Sequence, residues 1–323
     1  MVQRRAGARV RHQLGRWLVG LLVWAGGLPM ASAVVGSTAV HPLASLTALP
    51  SALVPADGAS LRAQYTALQA ELAQNAFKQP LVVRSNESDG KILGEVFAVV
   101  DYSLNQVIQG LDSPVHWCGI MILHINTKYC SAKPSPQGMQ IAVHIGKKTP
   151  ENLIYTRPLV LNYLPHHLGP DYLNIGLMAK EGPMGTSDYQ IVLEAVALSG
   201  DRSFLHLSYA YKVNMMGKLA LQTYLGTAGR NKVGFSVLQP NSLGPPVLVG
   251  GVRGLVERNT MRYYLAINAY LAAERLPPQE RAEARLLNWI LATERYPVQL
   301  QEVDRASYLA MKRAELIRQQ TLQ

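Results

Sequence analysis

Two cysteines, four phenylalanines and no acidic residue before position 57 are the scarcities that shape this 323-residue chain. Charged residues make up only 16% of it, and no run of five or six basic residues occurs, which argues against a nucleic-acid-binding surface. No apolar stretch reaches the ~20 residues a membrane-spanning helix needs. A G-x-S-x-G elbow, an H-E-x-x-H pair and a Gly-rich phosphate loop are all missing, which lowers the expectation of an enzyme. No internal repeat is present.

What the chain does have begins with a leader. Arg4, Arg5, Arg9, Arg11 and Arg16 precede the apolar stretch WLVGLLVWAGGLPM, and Ala31-Ser32-Ala33 follows it. Basic region, short apolar core and small-x-small site in that order read as a secretory signal peptide over 1–33. Cleavage near Ala33 predicts a periplasmic or secreted protein with no membrane span; a retained leader would instead leave an anchor. Five of the 31 Lys+Arg residues sit in this leader, so the remainder carries 26 against 21 Asp+Glu, a mild and dispersed excess. Residues 34–56, rich in Ala, Ser, Leu and Pro, read as a flexible tether.

The remaining residues are enough for a sizeable core. Leu61, Tyr65, Leu68 and Leu72 predict an amphipathic helix over 59–76. LVVRSNE and ILGEVFAVVDY, joined through Asp89-Gly90, predict a hairpin. Leu104, Val107, Ile108 and Leu111 mark a short helix, and a second helical piece follows Asp112-Ser113-Pro114. Strand-like runs then occur at 139–145, 153–164, 172–180, 189–198 and 203–213. A helical stretch at 214–228, a long helix from Gly254 to Glu274 and polar helices beyond Pro277-Pro278 complete the order. This is an α+β succession, a curved antiparallel sheet closing over one long helix, with a cavity between them that the helix alone does not fill. The expected domains are 57–274 for this unit and 275–323 for a helical extension.

The segments GEVFAVVDYSLNQVIQGLDSPVHWC, EGPMGTSDYQIVLEAV, FLHLSYAYK and GGVRGLVERNTMRYYLAINAYL, with that element order, resemble the START-like (helix-grip, polyketide cyclase/lipid-transport) superfamily. They also resemble a group of exported proteobacterial proteins with this fold. The resemblance covers roughly 80–273 and implies a hydrophobic ligand held between sheet and C-terminal helix. Some members catalyse cyclisation or dehydration there. No catalytic motif is shared across the superfamily, so the resemblance carries over no active residue.

The stretch HWCGIMILHINTKYC holds His116, Cys118, His124 and Cys130. An exported pair of thiols is expected to be joined, closing a loop worth on the order of 3 kcal/mol. Free structural cysteines, a metal site and a Cys nucleophile are the alternatives; the six-residue spacings match no usual zinc pattern. His124, Asn126 and Lys128 would share a face if the segment were extended, with His124 and Asn126 as pocket-rim candidates. In FLHLSYAY, Tyr209 and Tyr211 fall on the same face as Leu205 and Leu207, the expected pocket side. His206 then points to the opposite face, near Glu194, where a catalytic pair is the sharper reading and a structural one the plainer. Arg253, Glu257, Arg258 and Arg262 cluster on the long helix. An ion network with the tail acids Glu294, Glu302 and Asp304 competes there with a cationic clamp for a ligand carboxylate or phosphate.

Tyr209, Tyr211, Glu257, Arg258, Arg262, His124 and Asn126 are therefore the candidate ligand residues, with no catalytic residue, metal or cofactor expected. The expected function is non-catalytic binding of a hydrophobic, lipid-like small molecule. A cyclase or dehydrase acting on such a molecule, and an envelope protein with a filled core, are the alternatives.

Overall fold

The structure is a computed structural model that describes residues 57–227, 229–239 and 244–322. The leader expected at 1–33 and the tether at 34–56 lie outside the described residues.

Helix α1 (Gly58–Ala73) opens with Asp57, whose carboxylate accepts from the Ser60 amide at 2.8 Å and caps the helix. Strands β1 (Leu81–Ser88) and β2 (Lys91–Val100) pair around Asp89-Gly90. Both turn residues take positive φ, 51° and 75°, the geometry a two-residue hairpin turn with right-handed strand twist requires. Helix α2 (Leu104–Leu111) begins with a reciprocal Ser103–Gln106 cap, and α3 (Pro114–Met121) begins with proline at its first position.

Six strands follow: β3 (Thr127–Ser135), β4 (Gly138–Ile145), β5 (Arg157–Leu168), β6 (Tyr172–Glu181), β7 (Thr186–Leu198) and β8 (Arg202–Val213). Helix α4 (Met215–Gly226), a small hairpin of β9 (Val237–Gln239) and β10 (Val247–Leu248), and the long α5 (Gly251–Glu274) come next. The extension forms α6 (Pro278–Glu294), α7 (Pro297–Leu300) and α8 (Arg305–Leu322).

The eight main strands form one antiparallel sheet in the order β1-β2-β8-β7-β6-β5-β4-β3. The two short helices between β2 and β3, the meander that follows, and the long helix after the sheet make this a helix-grip architecture. One departure from the sequence reading is β3. Its first five residues are all buried, so they show no alternation between a wet and a dry face.

Two layers cover the sheet. The inner face carries Val96, Leu177, Ile191, Leu193, Leu205 and Leu207 against Met261, Leu265 and Ile267 of α5. The outer face carries Val82, Phe97, Val196 and Phe204 against Leu61, Leu68 and Leu72 of α1. Helix α5 is buried on nearly every side, because α6 packs on the flank the sheet leaves open. It crosses β2 at Gly94, where a Cβ would run into Thr260 Oγ1 and lie 3.1 Å from the Val256 carbonyl. Only glycine lets the helix come this close.

The tail packs back onto this unit. Trp289 is buried and donates to the Arg262 carbonyl at 3.1 Å. Tyr296 stacks edge-on against Phe235, its ring centre 5.5 Å away. Among the described residues, no helix is long and apolar enough to cross a membrane.

Candidate functional site

Cys118 and Cys130 are joined in a disulfide with Cα atoms 5.3 Å apart. The bond ties α3 to β3 and leaves no thiol for metal binding or nucleophilic attack. Between the two cysteines runs a connector, 122–126, in which the carbonyls of Leu123, His124 and Ile125 accept from side chains. Tyr308 donates to Leu123 O at 2.9 Å, Lys312 to His124 O and Thr127 O at 2.7 Å each, and Lys128 to Ile125 O at 3.3 Å. Lys128 and Lys312 share the buried carboxylate of Glu315 on α8. His124, Asn126 and Lys128 therefore do not share a face: Lys128 turns to α8, whereas His124 and Asn126 line the cavity. Burial holds the Lys312 ammonium down at about 8, with Glu315 pulling the other way.

That cavity, of about 340 Å³, lies between the inner face of the sheet, α5 and α4. Tyr189, Tyr209 and Tyr211 line it from the sheet and Tyr263 from α5; Tyr189 and Tyr211 stack with centres 5.4 Å apart. Burial raises the proton affinity of all four phenols, so they stand neutral, offering apolar area with a hydroxyl tip. Helix α4 closes one side with Gly217, Ala220, Leu221 and Tyr224, while its Met215, Met216 and Leu219 face solvent. Of its residues only Gly217 is buried, where the backbone meets the Gly185 carbonyl of the Pro183–Gly185 turn. Met184 of that turn lies at the cavity and is 73% exposed, so the turn and α4 together form its outer cover.

His124 sits in the wall, stacked on Tyr263 at 5.0 Å. The Asn126 amide donates to its Nδ1 at 3.2 Å, which puts the ring proton on Nε2. Burial and the cations Arg262, Lys312, Lys148 and Lys128 keep the ring well below the usual histidine range, hence neutral.

The remaining candidates lie elsewhere. Glu257 does not line the cavity; its carboxylate accepts from the Phe235 and Ser236 amides and from the Ser85 and Ser236 hydroxyls, at 2.6 to 2.9 Å. Arg253 reaches Ser85 Oγ at 3.2 Å, so it meets Glu257 through that serine. Arg262 pairs with Glu302 at 3.0 Å, and Lys148 and Lys232 hold the same carboxylate. Arg258 is buried and donates to Val233 O at 3.3 Å. Both arginines stand behind the cavity wall, not in it.

His206 lies on the outer face of the sheet, as its alternation with Tyr209 and Tyr211 implies. Its Nδ1 meets Glu194 at 3.0 Å and its Nε2 meets Glu95 at 2.9 Å, with the ring flat on Phe97. Glu194 also accepts from Tyr172 at 2.5 Å. This cluster is roofed by α1 and opens on no cavity found among the described residues. Sequence reasoning missed Glu95, Tyr172, Tyr189, Tyr224, Asn259 and Tyr263. Asn259 and Tyr263, four apart on α5, share one helix face and were legible in principle as a pair; Glu95 meets His206 only through the β2–β8 pairing.

A second hollow, a surface groove of about 650 Å³, runs between the end of β2, α5 and α6. The exposed Arg275 and Arg295 lie along it, outside the sheet–helix enclosure. Among the described residues no group of His, Cys, Asp and Glu is arranged to hold a metal ion.

No family model matches the chain, and the curated proteins contain no match to it. Several solved structures are similar. Human StAR-related lipid transfer protein 5 aligns at 10% identity over 68% of this chain and 98% of its own, with a TM-score of 0.34. The Zhui aromatase/cyclase from Streptomyces sp. R1128 aligns at 13% identity over 64% and 94%, with a TM-score of 0.30. A Thalictrum flavum norcoclaurine synthase bound to a transition-state analogue aligns at 12% identity over 44% and 90%, with a TM-score of 0.32. The helix-grip assignment stands on this chain's own strand order and the helix its sheet encloses. Likenesses of this size carry nothing about what it binds.

Proposed function

We propose that this chain binds an apolar small molecule or lipid in the cavity between sheet, α5 and α4, and carries it without chemical change. The observation that supports this is the cavity itself: about 340 Å³, within the usual range for ligand sites, walled by four neutral tyrosines and aliphatic side chains. A protein whose core served only structure would be filled there. Helix α4, barely buried, is the cover through which the ligand passes. The basic and apolar leader read from the sequence supports a periplasmic or secreted setting for this activity.

Among the described residues the cavity wall holds no carboxylate and no lysine, and the His206–Glu194 pair lies on the opposite face of the sheet. A cyclase or dehydrase reading draws on neutral His124 alone. The test is native mass spectrometry of protein purified from its own host, followed by solvent extraction. The expected result is one apolar molecule per chain. A bare chain that also takes up no 1-aminoanthracene overturns the reading, and conversion of the extracted molecule by fresh protein selects the enzyme.

A further inference from the structure

Four buried donor nitrogens beside the cavity have no acceptor: His124 Nε2, Arg258 Nε and Nη2, and Arg262 Nε. Buried donors are nearly always paired, and an unpaired one costs about 1–3 kcal/mol, more when charged. They come from one connector and adjacent turns of α5, His124 in the cavity wall and the two arginines behind it.

The charges around them do not balance either. Glu302 is shared by Lys148, Lys232 and Arg262. Glu257, the next carboxylate, accepts from two amides and two serine hydroxyls and reaches Arg258 only through space. Among the described residues Arg258 makes no salt bridge; burial lowers its proton affinity, and the nearby Tyr224 hydroxyl offsets this only in part. This region therefore carries an excess of positive charge inside a largely dry wall.

Three cavity-lining residues connect that excess to the open space. Tyr224 stands in front of Arg258. Asn259 accepts from Arg262 Nη1 at 3.4 Å through its Oδ1, which leaves its Nδ2 hydrogens as donors. His124 has its Nδ1 occupied by Asn126 and its Nε2–H unused.

We propose that the cavity takes an amphipathic acid, its apolar body against Tyr189, Tyr209, Tyr211 and Tyr263 and its single anionic oxygen group at the end walled by His124, Asn259 and Tyr224. This rests on the cavity being a ligand site. The anion supplies an acceptor for the His124 Nε2–H, and its charge offsets that of Arg258 behind the wall. A carboxylate and a phosphate monoester share this chemistry.

The test uses 1-aminoanthracene, a neutral fluorescent reporter of apolar cavities, displaced at pH 7.5 by decanoic acid, decyl phosphate or methyl decanoate. We expect one of the two acids to displace it at concentrations at least tenfold below those the ester needs, and the stronger acid identifies the headgroup. Arg258→Met and His124→Phe should each shrink that gap to less than threefold. The wild-type comparison stands even where a variant does not fold. Equal displacement by all three compounds overturns the acid proposal and leaves the cavity reading intact. Failure of the wild type to take up the reporter overturns both.

Discussion

The Nζ of Lys312, on the last helix, donates to the carbonyl of His124, 188 residues earlier, at 2.7 Å. The C-terminal extension thus holds the segment that carries a cavity-wall histidine. Replacing Lys312 with methionine removes its ammonium from the carbonyls of His124 and Thr127 and leaves Glu315 with Lys128 alone. We expect a loss of about 2 kcal/mol in urea unfolding, together with weaker 1-aminoanthracene binding. Full stability and unchanged dye affinity would show that α8 has no hold on the site.

The disulfide closes the same connector from inside. Cys118→Ala with Cys130→Ala should lower stability by about 3 kcal/mol, the loop-closure value for a ring of this size. Wild-type protein in reductant should show the same drop in urea midpoint, and no shift under either condition refutes the assignment.

His206 makes stability depend on pH. Burial by itself lowers its pKa, but the bonds and charges of Glu194 and Glu95 more than reverse this and raise it to about 9. A raised folded pKa contributes stability that is fully present below the unfolded value near 6.5 and is lost as pH rises through about 9. Lys312, depressed to about 8, acts oppositely between about 8 and 10.5, so the readout is the difference between wild type and His206→Gln. That difference should fall by about 3 kcal/mol from pH 6 to pH 9.5, and a flat difference would remove the imidazolium from the account.

Gly94 sets the distance between β2 and α5. Gly94→Ala forces its Cβ into Thr260 Oγ1 and the Val256 backbone. A cost of about 1–3 kcal/mol follows, measurable by chemical denaturation. Pairing it with Thr260→Ala should recover part of that loss, because the closest clash is then gone.

Ala220 lies on the cavity side of α4. Ala220→Trp fills the space without touching the sheet core, so unfolding should shift by less than about 1 kcal/mol while dye binding is abolished. Retained dye binding would place the ligand elsewhere.

Much of the architecture follows from the sequence alone because periodicity reports which face of an element meets the core. Leu61, Leu68 and Leu72 specify α1, Asp89-Gly90 specifies the hairpin, and the alternation in FLHLSYAY separates Tyr209 and Tyr211 from His206. Strand β3 escaped because burial of Thr127–Ser131 on both faces erases the period. The pairing of Cys118 with Cys130 was legible from the export that the leader predicts and from there being no other cysteine. Tertiary structure alone decided the partners. Glu257 went to serines and amides rather than to an arginine, Lys128 went to a tail glutamate, and Arg258 was left behind the cavity wall. Hydrogen bonds and ion pairs are settled by which side chains the closed fold brings within about 3 Å, and a one-dimensional pattern holds no record of that distance.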